Sequence, residues 1–439
     1  HPALTSDVEA DLAIVGGGYT GLWTALLAAR RDPSARIVLL EGGTVGWAAS
    51  GRNGGFCEAS LTHGEENGRR RWPEEYDRLA ELGAENLDAI EATVAELGLD
   101  CDLERTGSLD VAIEPHQVEW LDESAQRAGS TRLDRDAVRA EIASPTYLGG
   151  VWHRDSVALV HPAKLAVGLA RAASRAGVQL HERTVVRSIG DVEGSRGAGR
   201  VEVATDHARV RAGRVVLATN AFPSLLRRNR WMTVPVYDYA LMTEPLSAEQ
   251  LAAVGWQHRQ GVSDLANQFH YYRLSADNRI LFGGYDAIYH PGRRMRASYE
   301  DRPESYQRLA SHFLTTFPQL EGLRFTHRWA GAIDTSTRFC AFYGTARAGR
   351  VAYATGFTGL GVGATRFAAE VMLDLLDGVP TERTSLRMVR ERPPAFPPEP
   401  FAALGINATR WSLDRADHRQ GRRNLLLRGL DAVGLGFDS

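Results

Sequence analysis

Two glycine-rich turns near opposite ends of the chain constrain its fold more than any other feature. The first spans residues 16–21 (GGGYTG) and the second spans residues 356–363 (GFTGLGVG). Each turn follows an apolar, strand-like run and precedes a helix-like run. Such a turn directs backbone N–H groups and the positive end of a helix toward an anionic ligand. We therefore expect both turns to bind one large dinucleotide.

The first turn lies in the sequence context of a nucleotide-binding βαβ unit. Residues 11–15 (DLAIV) predict a buried parallel strand, residues 20–30 predict a helix, and residues 36–40 (RIVLL) predict the next strand. Glu41 ends that strand, where a carboxylate can accept hydrogen bonds from the ribose hydroxyls of a dinucleotide. An ordinary βαβ unit without a ligand would show the same pattern.

The second turn has similar neighbours. Residues 350–355 predict a strand and residues 364–376 predict a helix, which Gly378 and Pro380 end. The alternative is a glycine-rich connection between strand and helix that binds nothing.

Composition narrows the class of protein. The chain has 439 residues, of which 44% are hydrophobic, so it can bury a large core and divide into two domains. Its net charge of −3 provides no basic field for nucleic acid. The cysteines are too few and too scattered for a disulfide scaffold or a zinc site: Cys57, Cys101 and Cys340. We expect a cytoplasmic protein without a metal, and no apolar run reaches membrane-spanning length.

Six segments together resemble the FAD-dependent D-amino acid oxidase superfamily. They are the first turn with Glu41, residues 50–55 (SGRNGG), 217–221 (LATNA), 271–273 (YYR), 329–331 (WAG) and the second turn. The resemblance covers residues 8–380 and is most specific in SGRNGG and the second turn. It is nearest to the amine-oxidising branch, which includes gamma-glutamylputrescine oxidase, sarcosine oxidase and glycine oxidase.

The resemblance implies a non-covalently bound FAD. In that family the matching positions imply that Gly16, Gly18 and Gly21 cradle the pyrophosphate, that Glu41 holds the ribose, and that Val185 meets the adenine through its backbone. Residues 50–55 would run along the pyrophosphate and the flavin edge, and residues 359–363 would face the flavin ring. The full set of expected FAD contacts is Gly16, Gly18, Tyr19, Thr20, Gly21, Glu41, Ser50, Gly51, Arg52, Asn53, Gly54, Gly55, Val185, Thr219, Asn220, Trp329, Gly331, Gly356, Thr358, Gly359, Leu360, Gly361, Val362 and Gly363.

Elementary chemistry supports two of these assignments. The glycines of SGRNGG permit close backbone approach to a planar ring, and Arg52 can offset phosphate charge. A flavin becomes anionic when reduced, so a helix N-terminus at the second turn would stabilise the reduced form. Asn53 either bonds the flavin or caps a turn, and the sequence does not separate these roles.

We predict an α/β fold in which a Rossmann-like FAD-binding domain carries an inserted antiparallel-sheet substrate domain. The FAD-binding domain is assigned to residues 1–60, 145–235 and 330–385. The substrate domain is assigned to residues 61–144 and 236–329. Residues 386–439 form a C-terminal tail, which begins with a proline-rich connector and is expected to pack on the protein body.

The resemblance places aromatic walls over the substrate face of the flavin. Tyr271, Tyr272 and Trp329 are the candidates, although aromatic residues in strands also form ordinary core. Arg273 and Arg338 are candidates to hold a substrate carboxylate bidentately, with plain salt bridges as the alternative. His63 and His161 are candidate bases, though lone histidines are more often structural.

The chain departs from the family pattern in two places. Sarcosine-type oxidases use a lysine near the flavin to activate oxygen, whereas the corresponding strand at residues 279–284 has none and Lys164 lies elsewhere. The electron acceptor is therefore O2 or another acceptor. Arg338 falls near the position of an acid in the family motif. Cys340 is a candidate for covalent flavin attachment, with a buried free thiol as the more ordinary alternative.

The sequence thus predicts an FAD-dependent enzyme that oxidises a C–N bond of a small-molecule amine or amino acid to an imine by hydride transfer. Two alternatives stay open at this point. An NAD-linked dehydrogenase would explain the first turn but neither SGRNGG nor the second turn. A flavin-binding protein with a non-catalytic role would explain all three.

Overall fold

A computed structural model describes residues 1–192, 199–432 and 434 of the chain. Its strands are β1 (Val8–Val15), β2 (Ile37–Leu40), β3 (Phe56–Glu58), β4 (Ser108–Ala112), β5 (Ser130–Leu133), β6 (Gly149–His153), β7 (Val157–Leu159), β8 (Gln179–His181), β9 (Val186–Asp191), β10 (Val201–Thr205), β11 (Arg209–Leu217), β12 (Thr233–Thr243), β13 (Gly261–Asp264), β14 (His270–Leu274), β15 (Ile280–Gly284), β16 (Ile288–Tyr289), β17 (Phe325–Ser336), β18 (Phe342–Ala346) and β19 (Val351–Thr355).

The α-helices connect and cover these strands. They are α1 (Tyr19–Arg31), α2 (Ala49–Arg52), α3 (Glu65–Arg71), α4 (Tyr76–Leu97), α5 (Trp120–Ser124), α6 (Arg135–Glu141), α7 (Pro162–Arg175), α8 (Ala248–Val254), α9 (Pro303–Thr316), α10 (Gly361–Asp377), α11 (Glu382–Ser385), α12 (Arg387–Arg390), α13 (Phe401–Asp417) and α14 (Leu425–Ala432). None of the helices within the described ranges is both long and apolar enough to cross a membrane.

The first sheet has a parallel centre, as the βαβ pattern predicts. Its order is β18-β19-β11-β1-β2-β8, and β10 and β9 continue from β11 in antiparallel pairs. Strands β19, β11, β1, β2 and β8 run parallel to one another. The second half of β1 is buried on both faces, because Leu12 and Ile14 pack in one cluster with α1, and Ala13 and Val15 pack in another with strand β10. The carboxyl ends of β1 and β19 therefore reach one edge of the sheet.

The second sheet is mostly antiparallel. Its order is β16-β12-β15-β14-β13-β4-β6-β5, with β17 paired along the other side of β12. Only the pairing of β13 with β4 is parallel within the described sheet. Its strands come from two stretches of chain that flank the strands from β7 to β11, so the sheet is inserted into the first fold. The predicted fold class is confirmed by this architecture.

The predicted domain boundaries remain a prediction, but two strands bear on where they fall. Strand β6 pairs with β4 and β5 in the second sheet, although residues 145–235 are assigned to the FAD-binding domain. Strand β17 runs through the boundary between residues 329 and 330.

The tail packs against the second sheet. Asp417 at the end of α13 accepts hydrogen bonds from the backbone N–H groups of Asn267 (2.9 Å) and Gln268 (3.0 Å), and Asp414 accepts one from Tyr285 Oη (3.0 Å). Residues 433 and 435–439 of the tail lie outside the described residues.

Candidate functional site

Close backbone contacts require glycine at two positions of the first turn. Gly16 has φ of +114°, and a Cβ there would overlap the carbonyl oxygen of Ala218. A Cβ at Gly21 would overlap the carbonyl oxygen of Gly16. Helix α1 begins directly after Gly18 without a side-chain cap, and the N–H of Tyr19 donates to Ser50 Oγ at 3.0 Å. The turn therefore presents backbone donors at the end of β1.

Glu41 lies beside this turn, directly after β2. Its carboxylate accepts hydrogen bonds from the backbone N–H groups of Gly17 (2.6 Å) and Gly43 (2.7 Å) and from Trp47 Nε1 (2.9 Å). Val185 lies next to Gly42, at the same end of the sheet. The two residues expected to meet the adenosine are thus neighbours, although they are far apart in sequence.

The SGRNGG segment forms a tight helical turn and a bend. Residues Ala49–Arg52 form α2, and Asn53 closes the bend: its Oδ1 accepts from Gly55 N (2.8 Å) and its Nδ2 donates to the carbonyl of Ala49 (3.0 Å). The structure thus shows Asn53 in the turn-capping role. Arg52 already pairs with Glu300 at 2.6 Å, so its charge is balanced within the protein.

The second turn begins at Gly356 and enters α10 earlier than the sequence suggests. Positive φ values at Gly356 (+81°), Thr358 (+50°) and Gly359 (+95°) reverse the chain, and the helix starts at Gly361 without a side-chain cap. Gly363 is required because a Cβ there would overlap the backbone carbonyl of Glu58. The start of α10 therefore packs directly on β3.

A carboxylate that the sequence analysis missed holds this turn. Asp334, buried at the end of β17, accepts from the N–H groups of Gly356 and Phe357 (3.2 Å) and from Thr355 Oγ1 (2.9 Å). With its amide turned so that Nδ2 faces the acid, Asn220 donates to both carboxylate oxygens at 2.6 and 2.9 Å. Burial raises the pKa of Asp334 to about 6. The family motif has an acid near the position of Arg338, whereas the acid in this chain lies four residues earlier. Comparison with the motif therefore did not identify Asp334.

Both turns line one cavity of about 2190 Å³. This is about twice the upper end of ordinary small-ligand pockets, roughly 1,000 Å³. Its lining includes these expected FAD contacts: Gly18, Tyr19, Thr20, Ser50, Arg52, Asn53, Gly54, Asn220, Trp329, Gly331, Thr358, Gly359, Leu360, Gly361 and Val362. The cavity continues along the second sheet, so distant parts of the chain converge on one space.

The remaining expected FAD contacts, which include Glu41 and Val185, are not among the residues that line the cavity. Gly16, Gly21, Gly51, Gly55, Gly356 and Gly363 shape the backbone, while Thr219 follows β11 beside Ala218, which lines the cavity.

Tyr271 and Trp329 face the cavity. Tyr271 Oη donates to Asp238 Oδ2 at 2.6 Å, and Trp329 Nε1 donates to the carbonyl of Arg52 at 2.8 Å. Tyr272 points to the other face of the sheet, because side chains alternate along a strand. There its hydroxyl bonds that of Tyr147 at 2.7 Å. The predicted pair of tyrosines is thus divided between the cavity and the core.

The two candidate carboxylate-binding arginines do not line the cavity. Arg273 is covered by Gly55 and donates to the carbonyl of Val160 at 2.7 Å, and burial lowers its pKa to about 10. Arg338 donates to the carbonyls of Glu391 (3.1 Å) and Ala341. Both guanidinium groups therefore donate hydrogen bonds to main-chain carbonyls of other segments and do not face the cavity.

Of the other residues named in the sequence analysis, one lines the cavity and three do not. His63 lines the cavity, and burial lowers its pKa. His161 instead caps α7. Lys164 Nζ pairs with Asp102 at 2.7 Å, away from the cavity lining. Cys340 is fully buried and does not line the cavity, so its thiol is not placed to bond a flavin.

Among the other carboxylates that line the cavity, Asp238 and Glu58 have clearly raised pKa values. Asp238 lies on the same face of β12 as Val236 and Ala240, and burial raises its pKa to about 6. Glu58 follows SGRNGG on β3, and burial, with the nearby Asp110 charge, raises its pKa to about 7. The alternating pattern of β12 (VPVYDYA) was a signal for Asp238, because it places an acid on an otherwise apolar face.

Comparison with known proteins agrees with this geometry. The model of the family described as FAD dependent oxidoreductase (DAO) matches residues 11–375. Gamma-glutamylputrescine oxidoreductase of Escherichia coli (strain K12) is 31% identical over 389 residues, which cover 85% of each chain. Probable oxidoreductase OrdL of Haemophilus influenzae is 29% identical over 391 residues, which cover 86% of this chain and 85% of the relative. The crystal structure of glycine oxidase from Geobacillus kaustophilus shares the fold, with a TM-score of 0.70 at 20% identity, and covers 87% of this chain and 99% of its own.

Proposed function

Because this chain belongs to the FAD-dependent oxidoreductase family DAO, we propose that it oxidises a C–N bond of a primary or secondary amine, or of an amino acid, to an imine that water hydrolyses. The observation that carries the proposal is the one cavity in which both glycine turns meet Tyr271, Trp329 and Asp238. Family membership decides against the NAD-linked alternative. The Escherichia coli relative is named for an amine compound, gamma-glutamylputrescine.

The residues present fit FAD. Two helices, α1 and α10, begin at the cavity without an N-cap side-chain hydrogen bond. Ser50 Oγ accepts from the N–H of Tyr19, and the remaining N–H groups of the two first turns are directed toward anionic atoms. Gly16 and Gly21 leave no room for a Cβ because the carbonyls of Ala218 and Gly16 lie against them, so the first turn stays tight at the end of β1. We assign the pyrophosphate to the first turn with Ser50, the adenosine to Glu41 and Val185, and the flavin ring to the second turn.

The chemistry that FAD supplies when bound is acceptance of a hydride from the carbon bearing the nitrogen. The chain's own residues orient the amine and exclude water. Tyr271 and Trp329 form apolar walls, which favour the neutral amine over the ammonium ion. Asp238 and Glu58 attract the incoming ammonium, and their raised pKa values let either hold its proton near neutral pH.

An anaerobic assay tests the proposal. The purified FAD-loaded protein is mixed with polyamines, N-methyl amino acids and D- or L-amino acids, and flavin absorbance near the visible maximum is followed. We expect at least one compound to bleach the flavin. A panel without any bleaching would favour a non-catalytic flavin-binding protein. Admitting air to a bleached sample then separates O2 from other electron acceptors, since only an oxidase recovers its colour rapidly.

A further inference from the structure

The tail helix α13 forms one wall of the cavity. Its cavity-lining residues follow one stripe of a helix surface: Phe401, Ala402, Gly405, Ile406, Thr409, Arg410 and Leu413. This helix lies beyond residue 375, where the family match ends. The wall therefore lies outside the part of the chain that the family model matches.

Contacts at both ends fix α13 in place. At its start, Glu399 accepts hydrogen bonds from the hydroxyl of Tyr289 and from Gly292 N (3.0 Å). At its end, Asp417 accepts from Asn267 N (2.9 Å) and Asn267 Nδ2 (2.6 Å). Each acceptor is a carboxylate, and hydrogen bonds to charged groups are the stronger ones. We treat α13 as a fixed wall.

The wall belongs to the substrate end of the cavity. Ile406 packs in a cluster with Val234 and Val236, which lie on the cavity face of β12. Asp238 follows Val236 on that same face. The helix is thus adjacent to the strand that carries the proposed ammonium-binding acid, and its anchors are on the second sheet.

Arg410 is the unusual residue of this wall. Two other cavity-lining arginines have acid partners, Arg52 with Glu300 (2.6 Å) and Arg127 with Glu65 (2.9 Å), while the exposed Arg154 stacks on Trp152. Within the described chain, the Arg410 guanidinium has neither an ion pair nor a hydrogen bond, and its Nε is buried. A guanidinium that lines the cavity without an acid partner offers its planar set of N–H donors to an anion that enters the cavity.

We propose that Arg410 binds a carboxylate of the substrate, so that the enzyme prefers amines that carry an acidic group away from the reacting nitrogen. The planar guanidinium suits bidentate binding of a carboxylate. The claim that the bound anion is a substrate rests on the proposed function. The claim that Arg410 binds a carboxylate does not. It also gives the tail a role in specificity.

The binding test uses glutarate, a dicarboxylate that has no amine to oxidise, titrated calorimetrically into the FAD-loaded protein. We expect Arg410→Gln to weaken glutarate binding on the order of 10- to 100-fold, the effect of losing a charge-assisted hydrogen bond. Arg415→Gln is the matched control, because Arg415 lies on the same helix but stacks on Trp411, outside the cavity. Equal glutarate affinity in wild type and Arg410→Gln would overturn the inference.

Kinetic measurements distinguish whether Arg410 binds the substrate or the cofactor. Arg410→Gln should raise the KM for 4-aminobutyrate and leave that for butylamine within about twofold, if these amines are substrates. Its FAD affinity should equal that of wild type. A loss of FAD affinity instead would assign Arg410 to the cofactor phosphates and overturn the inference. Retained glutarate binding with no amine oxidation would refute only the proposed function.

A steric variant tests the wall without changing charge. Gly405 lines the cavity and a Cβ there meets no atom within 4 Å, so Gly405→Leu should fold. We expect it to weaken glutarate binding at least fivefold without lowering the Tm, because leucine favours a helix more than glycine does. Gly429→Leu is the control, since Gly429 is also open but lies on α14 outside the cavity lining. Equal effects of the two variants would contradict the placement of α13.

Discussion

Replacing Tyr271 by Phe should shift the pH dependence of the reaction. The hydroxyl of Tyr271 donates to Asp238 Oδ2 at 2.6 Å and stabilises the charged carboxylate. Burial already raises the pKa of Asp238 to about 6, and the hydrogen bond opposes that rise. Removing the donor must therefore raise the pKa further.

The size of the shift follows from the strength of the bond. A hydrogen bond to a charged group contributes about 1.5–3 kcal/mol, and one pKa unit corresponds to about 1.4 kcal/mol. The pKa of Asp238 should rise by roughly 1 to 2 units. With a shift of about 1.5 units, the charged fraction at pH 6.5 falls about eightfold, whereas at pH 9 it hardly changes.

The assay is the rate of anaerobic flavin reduction at low substrate concentration, measured by stopped flow between pH 5.5 and 9. For Tyr271→Phe we expect the acid limb of the rate profile to shift to higher pH, and the rates to approach those of wild type at high pH. Tyr272→Phe is the matched control, since its hydroxyl bonds Tyr147 in the core. A Tyr271→Phe profile that superimposes on wild type, or an equal shift in Tyr272→Phe, would refute the reasoning.

Three further predictions concern the cofactor. Gly16→Ala should purify with little flavin, because its Cβ would overlap a backbone carbonyl, whereas Gly190→Ala on β9 meets no atom within 4 Å, lies outside the cavity lining and should keep its flavin; equal absorbance ratios of flavin to protein would contradict this. Asp334→Ala should weaken FAD binding at least tenfold and lower the Tm, because it leaves the donors of the second turn without their acceptor; unchanged FAD titrations would contradict the role assigned to this acid. Acid precipitation should leave all yellow colour in the supernatant, since the Cys340 thiol is buried outside the cavity, and colour in the pellet would show a covalent link.

The nucleotide-binding half of the fold could be predicted because its signals are local. Strand β1, the turn at Gly16 and helix α1 are adjacent in sequence, and glycine is required there by close contacts and positive φ. Glu41 could be placed for the same reason, since it directly follows β2. Each of these features depends on a few neighbouring residues.

The substrate end could be predicted only in part, because it depends on strand register and long-range packing. Alternation indicates that Tyr271 and Tyr272 face opposite sides, but not which side is the cavity. Asp334 gains its role from partners on β19 and from Asn220, which no local pattern brings together. The sequence also could not predict that α13 forms a cavity wall, since its apolar stripe is typical of any packed helix.

The central claim is that two turns distant in sequence bind one FAD. A crystal structure of the FAD-loaded protein tests it most directly. The account predicts density for one FAD per chain, with its adenosine beside Glu41 and its isoalloxazine ring at Gly359–Gly363. Density that leaves either turn without a contact to the cofactor would contradict it.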